Sequence, residues 1–307
     1  MENMPLQKVP YEDYVKSTNM FFVDPTLEEK FEKEIRFASE TLGTRMSGIN
    51  SEKGLEAYIR DDKDSIDNLI SIMNISSEKF KRVITTLRLE KGHNISGEWD
   101  LGKIRTMMLE RPTFMAEVCH LLREGANDPK YQKMIPTFYL ENFVIDESTM
   151  ARLTNPDDLR RLIKKGIEGK YNISIGNAYV SEIEKRIAKM CFDQGLTYEC
   201  NKDVAFLGRA FNFAIPNANK PTVLISVSYN ITTSSTQTRY KDAAEAASST
   251  IREYNKTHDR QIALVNVLDG AGWVGRQSDL RAIHLCSTFM LHLDTMDQLD
   301  LILRKYC

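Results

Sequence analysis

The stretch from Ala210 to Asn230, AFNFAIPNANKPTVLISVSYN, reads as two short strands joined by a polar turn. Such a hairpin can present carboxylates to a divalent ion, yet this one contains none. Asn212 and Ser226 stand where a metal site would want acids. An amide offers a carbonyl oxygen without charge, and a serine offers only a short neutral hydroxyl. Other reactive residue types form no clear constellation. The five histidines share no ligand spacing, and His284 and His292 lie eight apart rather than four. LDGAGWVGRQ puts Asp269 before three glycines, but no Gly-Lys-Ser/Thr follows, so it reads as a tight turn over a packed tryptophan rather than a phosphate loop.

The elements that must position these residues divide the chain near residue 172. Residues 1–25 carry three prolines and no clear period, which suggests an arm or loop. Residues 26–172 read as helical: Leu27, Phe31, Ile35 and Leu42 share a face behind a possible Thr26 N-cap, and Asn155–Pro156 opens another helix. Residues 173–307 mix types. A helix running to Gly195 is followed by the hairpin, the polar loop ITTSSTQT, a helix from Arg239, a buried-type strand QIALVNVLD and a helix around DLRAIHLC. A short apolar FMLHL and a closing helix complete the order. That order predicts an α/β fold, a sheet flanked by helices behind a helical N-terminal domain.

Composition bounds the partners. Apolar residues make up 42% and charged residues 27% at a net charge of −2, as for a globular protein with a real core and unlike a highly basic DNA coater. Five cysteines, an odd number without zinc spacing, read as reduced thiols, although Cys191 and Cys200 could bridge or join a metal site. The N-terminus does not read as a signal peptide, and no apolar run approaches the roughly 18 residues needed to span a bilayer. These features lead us to expect a cytoplasmic protein that needs neither a membrane nor a small-molecule cofactor.

Residues 173–303 resemble the DpnII-type restriction endonucleases of the PD-(D/E)xK superfamily. RAFNFAI is similar to that family's basic–x–Phe–Asp–Phe strand, and VLISVSYNITTSSTQT to a Leu-Ile-Glu-Val strand, an aromatic and a Ser/Gly-rich loop. VNVLDGAGW is similar to a strand ending Asp-Gly-x-Gly-Trp, and DLRAIHLCSTFMLHLDTMDQLDLIL to its C-terminus. The resemblance implies magnesium-dependent cleavage of double-stranded DNA at a short site, by a homodimer if each chain carries one site. Magnesium neutralises the phosphodiester and activates a water, and carboxylates hold it. Carried over by position, the two strand acids fall on Asn212 and Ser226, the variable third position on Ser228, and the helix acid on Glu184.

Only Glu184 keeps its charge. Losing two ligating carboxylates should slow hydrolysis by at least roughly a thousandfold, at about 1.4 kcal/mol per factor of ten. The implied reading is therefore an endonuclease whose metal site has been altered, by engineering or natural decay. The alternative is a non-catalytic DNA-binding or assembly subunit. A relocated acid could come from Asp203, Asp269 or Glu182. Arg209, Ser234, Ser235, Gln237, Arg239, Lys241, Arg276 and Gln277 are the expected DNA contacts. KGHNISGEWD, residues 91–100, is a connector or a recognition loop.

Overall fold

The structure, a computed structural model, describes residues 6–90, 92 and 97–307. Its contacts fall into two units. One joins the N-terminal segment through Leu27 to Lys170–Cys307, and the other is Glu28–Gly169.

The Glu28–Gly169 unit is helical, with no strand among its described residues. Its helices include Glu52–Asp61, Ser65–Ile72, Ser77–Glu90, Leu101–Glu110 and Pro112–Glu124. Short polar side chains start several of them: Ser51, Asp100 and Asp146 each accept a hydrogen bond from a backbone N–H of the first turn. Apolar residues at helical spacing then turn inward, and Leu55, Ile59, Leu69, Phe80, Ile84, Met108, Val118, Leu122 and Phe143 share one core.

The other unit carries the sheet, and its elements are numbered here in chain order. They are α1 (Tyr11–Ser17), α2 (Pro156–Asp193), β1 (Glu199–Val204), β2 (Arg209–Ile215), β3 (Val223–Tyr229), α3 (Ser235–His258), β4 (Ala263–Asp269), α4 (Gln277–Cys286), β5 (Phe289–Leu291) and α5 (Gln298–Tyr306). The strands lie in the order β1-β2-β3-β4-β5. β1, β2 and β3 pair antiparallel, and β3, β4 and β5 pair parallel. The fold is mixed α/β, as the order of helical and strand patterns predicts.

Alternation decides which side chains meet which layer. Phe213, Ile215, Val223, Ile225, Val227, Val265 and Val267 face the core shared with Ile183 and Ile187 of α2 and Leu299 and Ile302 of α5. Ala214, Leu224 and Leu264 face Ala247 and Ile251 of α3, while Leu268 and Met290 meet Leu280 and Ile283 of α4. β4 is buried along its whole length, which explains its nearly unbroken apolar sequence.

Several local expectations change. Residues 1–25 include the helix α1, and Tyr14 is fully buried against the sheet unit. Asp24 rather than Thr26 caps the helix Pro25–Arg45, accepting from the Leu27 N–H at 3.0 Å. The two helices expected on either side of residue 172 are one, α2, and the division between units falls inside it. Gly166 and Gly169 weaken that stretch by about 1 kcal/mol each, but neither removes a hydrogen bond as a proline would. The Ser/Thr-rich loop is shorter than expected, since α3 already begins at Ser235. β1 is hidden in sequence because ECNKDV is polar and lies at the sheet edge.

The glycines after β4 are required by close approach. Gly270 has φ +108°, and a Cβ there would lie 2.2 Å from the Asn230 carbonyl oxygen. A Cβ on Gly272 would lie 2.5 Å from the Thr232 oxygen. The turn is thus pressed against the chain leaving β3, with Gly272 N–H donating to Asn230 O at 2.9 Å and Trp273 buried beneath. We expect Gly270→Ala to cost about 2–4 kcal/mol in denaturant unfolding, combining backbone strain with a steric clash. A cost below about 1 kcal/mol would show that the turn can shift freely.

Candidate functional site

In open α/β sheets, ligands commonly sit beyond the C-terminal ends of parallel strands. Here those ends are occupied by the protein's own N-terminal segment. The Tyr14 hydroxyl lies 2.7 Å from Leu268 O and 3.1 Å from Leu291 O. Gly270 N–H donates to Asn19 O at 2.9 Å, and Ala271 N–H to Met20 O at 3.0 Å. Phe22 N–H donates to the Tyr229 hydroxyl at 2.8 Å.

Asp269 lies at the centre of this arrangement, at the end of β4 and fully buried. Its Oδ1 accepts from Asn19 N–H at 2.8 Å, and its Oδ2 from the Tyr179 hydroxyl at 2.5 Å and Leu293 N–H at 2.8 Å. Three separate segments converge on one carboxylate. Burial pushes the Asp269 carboxyl above the usual carboxylate range, against the downward pull of those three hydrogen bonds and of His292. The Tyr179 hydroxyl is pushed up in turn, by burial and by the adjacent carboxylate. Asp269, weighed as a relocated metal acid, therefore has its oxygens engaged in holding the fold together.

The hairpin itself splits. β2 and β3 pair through Phe213–Ile225, Ala214–Leu224 and Ile215–Val223. Extending that register by one residue sets Asn212 opposite Ser226, but the side chain of Asn212 takes over from the backbone ladder there. Its Oδ1 accepts from Val227 N–H at 2.8 Å. Ser226 is buried, and its neighbours Ile225 and Val227 both face the α2 core, so its own side chain faces α3. There it contacts the Tyr240 hydroxyl. Tyr240 donates to Asn266 Oδ1 at 2.8 Å, and Asn266 Nδ2 donates to Ser287 Oγ at 2.8 Å. Ser228 accepts from Asn230 Nδ2 at 2.8 Å.

Glu184, expected beside these residues, instead contacts groups on the other face of the sheet. Its Oε1 lies 3.3 Å from Cys200 Sγ, and Cys200 pairs across the ladder with Phe213 on the α2 side. The Cys200 thiol is pushed up to about 11, first by burial and then by Glu184. It is a free thiol, as is Cys191. Glu182 sits 3.5 Å from both Arg186 and Lys185, and Asp203 is exposed on the edge strand. Among the described residues, no three His, Cys, Asp or Glu side chains gather as a metal-holding group.

The expected DNA contacts separate into two kinds. Ser235, Arg239 and Gln277 are exposed. Ser234 is the N-cap of α3, within a capping box closed by Gln237. Gln237 is fully buried and spends its Oε1 on Ser234 N–H at 2.7 Å, so it cannot reach a nucleic acid. Arg276 pairs with Asp279 at 2.8 Å and also binds Thr238 and Ser234, fastening α4 to the start of α3. Arg209 donates to Ala243 O at 2.7 Å. Lys241 pairs with Asp242 at 2.9 Å. Buried Tyr14 and Tyr179 and half-buried Tyr240 are anchors that no sequence motif marks. Sequence reading passes over Asn266 too, although an amide inside ALVNVLD is a usable signal of a polar partner.

The order helix, antiparallel hairpin, helix and parallel strand is the one that the resemblance implies. The family model described as the BanI C-terminal domain matches residues 137–302, just over half of the chain. The chain belongs to this type II restriction endonuclease family. No curated protein and no solved structure matched. No helix among the described residues is long and apolar enough to cross a membrane.

Replacing Asp269 with Asn puts an amide N–H₂ against at least one of the three donors that converge there. We expect Asp269→Asn to lower stability by about 2–4 kcal/mol at neutral pH. Because the folded carboxyl titrates above its unfolded value, its protonated form favours the fold. That contribution is fully present below the ordinary carboxylate range and is lost as pH rises through the folded value. The stability gap between wild type and Asp269→Asn should therefore be widest in acid and narrow as pH rises. Urea melts across pH 4–8 measure it, and a gap that widens with pH contradicts the assignment.

Proposed function

We propose that this chain binds duplex DNA through a DpnII-type, PD-(D/E)xK-like domain and does not hydrolyse it at the ancestral site. Membership of a restriction-endonuclease family supports the DNA partner. The observation that carries the loss of hydrolysis is the split hairpin, where Asn212 Oδ1 is spent on Val227 N–H and Ser226 is buried against Tyr240.

Magnesium is what the family resemblance implies, and the residues present do not fit it. A hard cation wants charged oxygens with free lone pairs. Asn212 and Ser226 supply no charge, and Glu184 contacts Cys200 on the opposite side of the sheet. Asp269 already accepts three hydrogen bonds. Exposed Ser235, Arg239 and Gln277 remain the proposed phosphate or base contacts, with Lys241 beside them. A twofold dimer on a palindromic site would suit a one-site chain, in the cytoplasm alongside the genome it acts on.

Two assays test the reading. In a gel shift, the wild-type chain should retard duplex DNA with an affinity that falls steeply with salt. Incubated with magnesium and mixed plasmid, it should leave the DNA uncut, while Asn212→Asp combined with Ser226→Glu should nick it. Asn212→Asp alone is nearly isosteric and serves if the double variant fails to fold: a gain in magnesium-dependent thermal stability is then the expected sign. No retardation of duplex DNA would overturn the partner, and efficient cutting by the wild type would overturn the loss of hydrolysis.

A further inference from the structure

The helical unit contains a buried cation with no counter-ion among the described residues. Arg88, near the end of the helix Ser77–Glu90, is only 5% exposed. Buried guanidinium groups are ordinarily paired, because an unpaired charge away from water is costly. Arg88 has no carboxylate within ion-pair distance among the described residues. Its Nη1 donates to Gly97 O at a long 3.3 Å, its guanidinium stacks 3.4 Å from the Trp99 ring centre, and its Nε–H has no partner among the described residues. A second cation, Arg111, adds repulsion. Burial and Arg111 together hold the Arg88 guanidinium below its usual range.

Both arginines line one cleft of about 210 Å³ with Trp99, Thr113, Phe114 and Glu117. At about 30 Å³ per water, that holds a tetrahedral oxyanion together with a few ordered waters. Arg111 is exposed and makes no ion pair among the described residues, so its fork is available at the mouth. Thr113 lies in the first turn of the helix Pro112–Glu124, where backbone N–H groups also favour negative charge. The single acid in the lining, Glu117, accepts from Lys130 at 3.2 Å, which offsets its charge. Trp99 in that lining belongs to the stretch 91–100, of which residues 91 and 93–96 lie outside the described residues.

We propose that this cleft is a phosphate-binding site, in which Arg88 from within and Arg111 from the mouth clamp a phosphate group. Guanidinium forks match phosphate oxygens two at a time, which is why arginine rather than lysine suits such a place. The phosphate can belong to a DNA backbone or to free phosphate. If it is DNA, the proposal rests on the DNA-binding reading above and assigns the helical unit a share of the contact.

The test uses the full chain and the variant Arg111→Gln, whose exposed position should leave the fold intact. Thermal unfolding is followed with inorganic phosphate against sodium chloride at matched ionic strength. Phosphate should raise the wild-type midpoint, and Arg111→Gln should abolish most of that rise. Arg88→Met should abolish it as well, without lowering the midpoint in chloride, because it removes an unpaired buried charge. In parallel, duplex binding is measured between about 50 and 200 mM salt, where losing one phosphate contact should reduce the log–log salt slope by about 1. A phosphate effect with a reduced slope supports a DNA phosphate here, and a phosphate effect with an unchanged slope supports free phosphate. If the wild type binds duplex DNA but neither the phosphate effect nor the slope depends on Arg111, the site is overturned while the DNA reading stands. If the wild type fails to bind DNA, the DNA reading falls and the phosphate melt alone decides the site.

Discussion

The sheet unit depends on one buried carboxylate. Asp269 collects a backbone N–H from the N-terminal segment, a hydroxyl from α2 and a backbone N–H from the turn after β5. None of these groups is near another in sequence, and all three donate to this one carboxylate. An acid at the end of a parallel strand would, in many α/β proteins, face a ligand. Here it faces the chain itself, and the strand ends beside it are closed by Tyr14, Asn19 and Phe22. Those strand ends are therefore filled by the protein's own N-terminal segment.

The split hairpin follows a related logic. An aspartate at position 212 could accept the Val227 N–H and still carry a charge for a metal. An asparagine accepts the same bond and carries none. An amide at this position therefore satisfies the strand geometry without supplying charge. Ser226 behaves likewise, joining a largely buried polar chain through half-buried Tyr240, Asn266 and Ser287. Satisfied networks of this kind fix side-chain positions and leave little lone-pair capacity for a cation.

Sequence patterning made the C-terminal architecture legible because the relevant signals are local. Alternation in FNFAI and VLISVSY, the apolar run of β4 and the glycines of DGAGW each specify an element without reference to partners. Side-chain destinations were less legible. Glu184 and Ser226 were expected to converge, but which face of a sheet a residue occupies depends on register, and register is set across strands far apart in sequence. Gln237 looked like an exposed polar contact in a Ser/Thr-rich loop, yet Ser234 begins α3 so early that Gln237 becomes its buried capping partner. Arg88 carried no motif at all. Its lack of a counter-ion is visible only when burial and neighbours are known together.

The seam between β2 and β3 is held by neutral groups, and we propose that it does not retain a divalent cation. Manganese, titrated into the full chain with duplex DNA present and followed by the electron paramagnetic resonance signal of the free ion, tests it directly. Subtracting the DNA-only titration should leave no protein-held manganese at micromolar concentrations. One or two ions retained per chain, and released by Asn212→Ala, would show that the seam does hold a divalent cation.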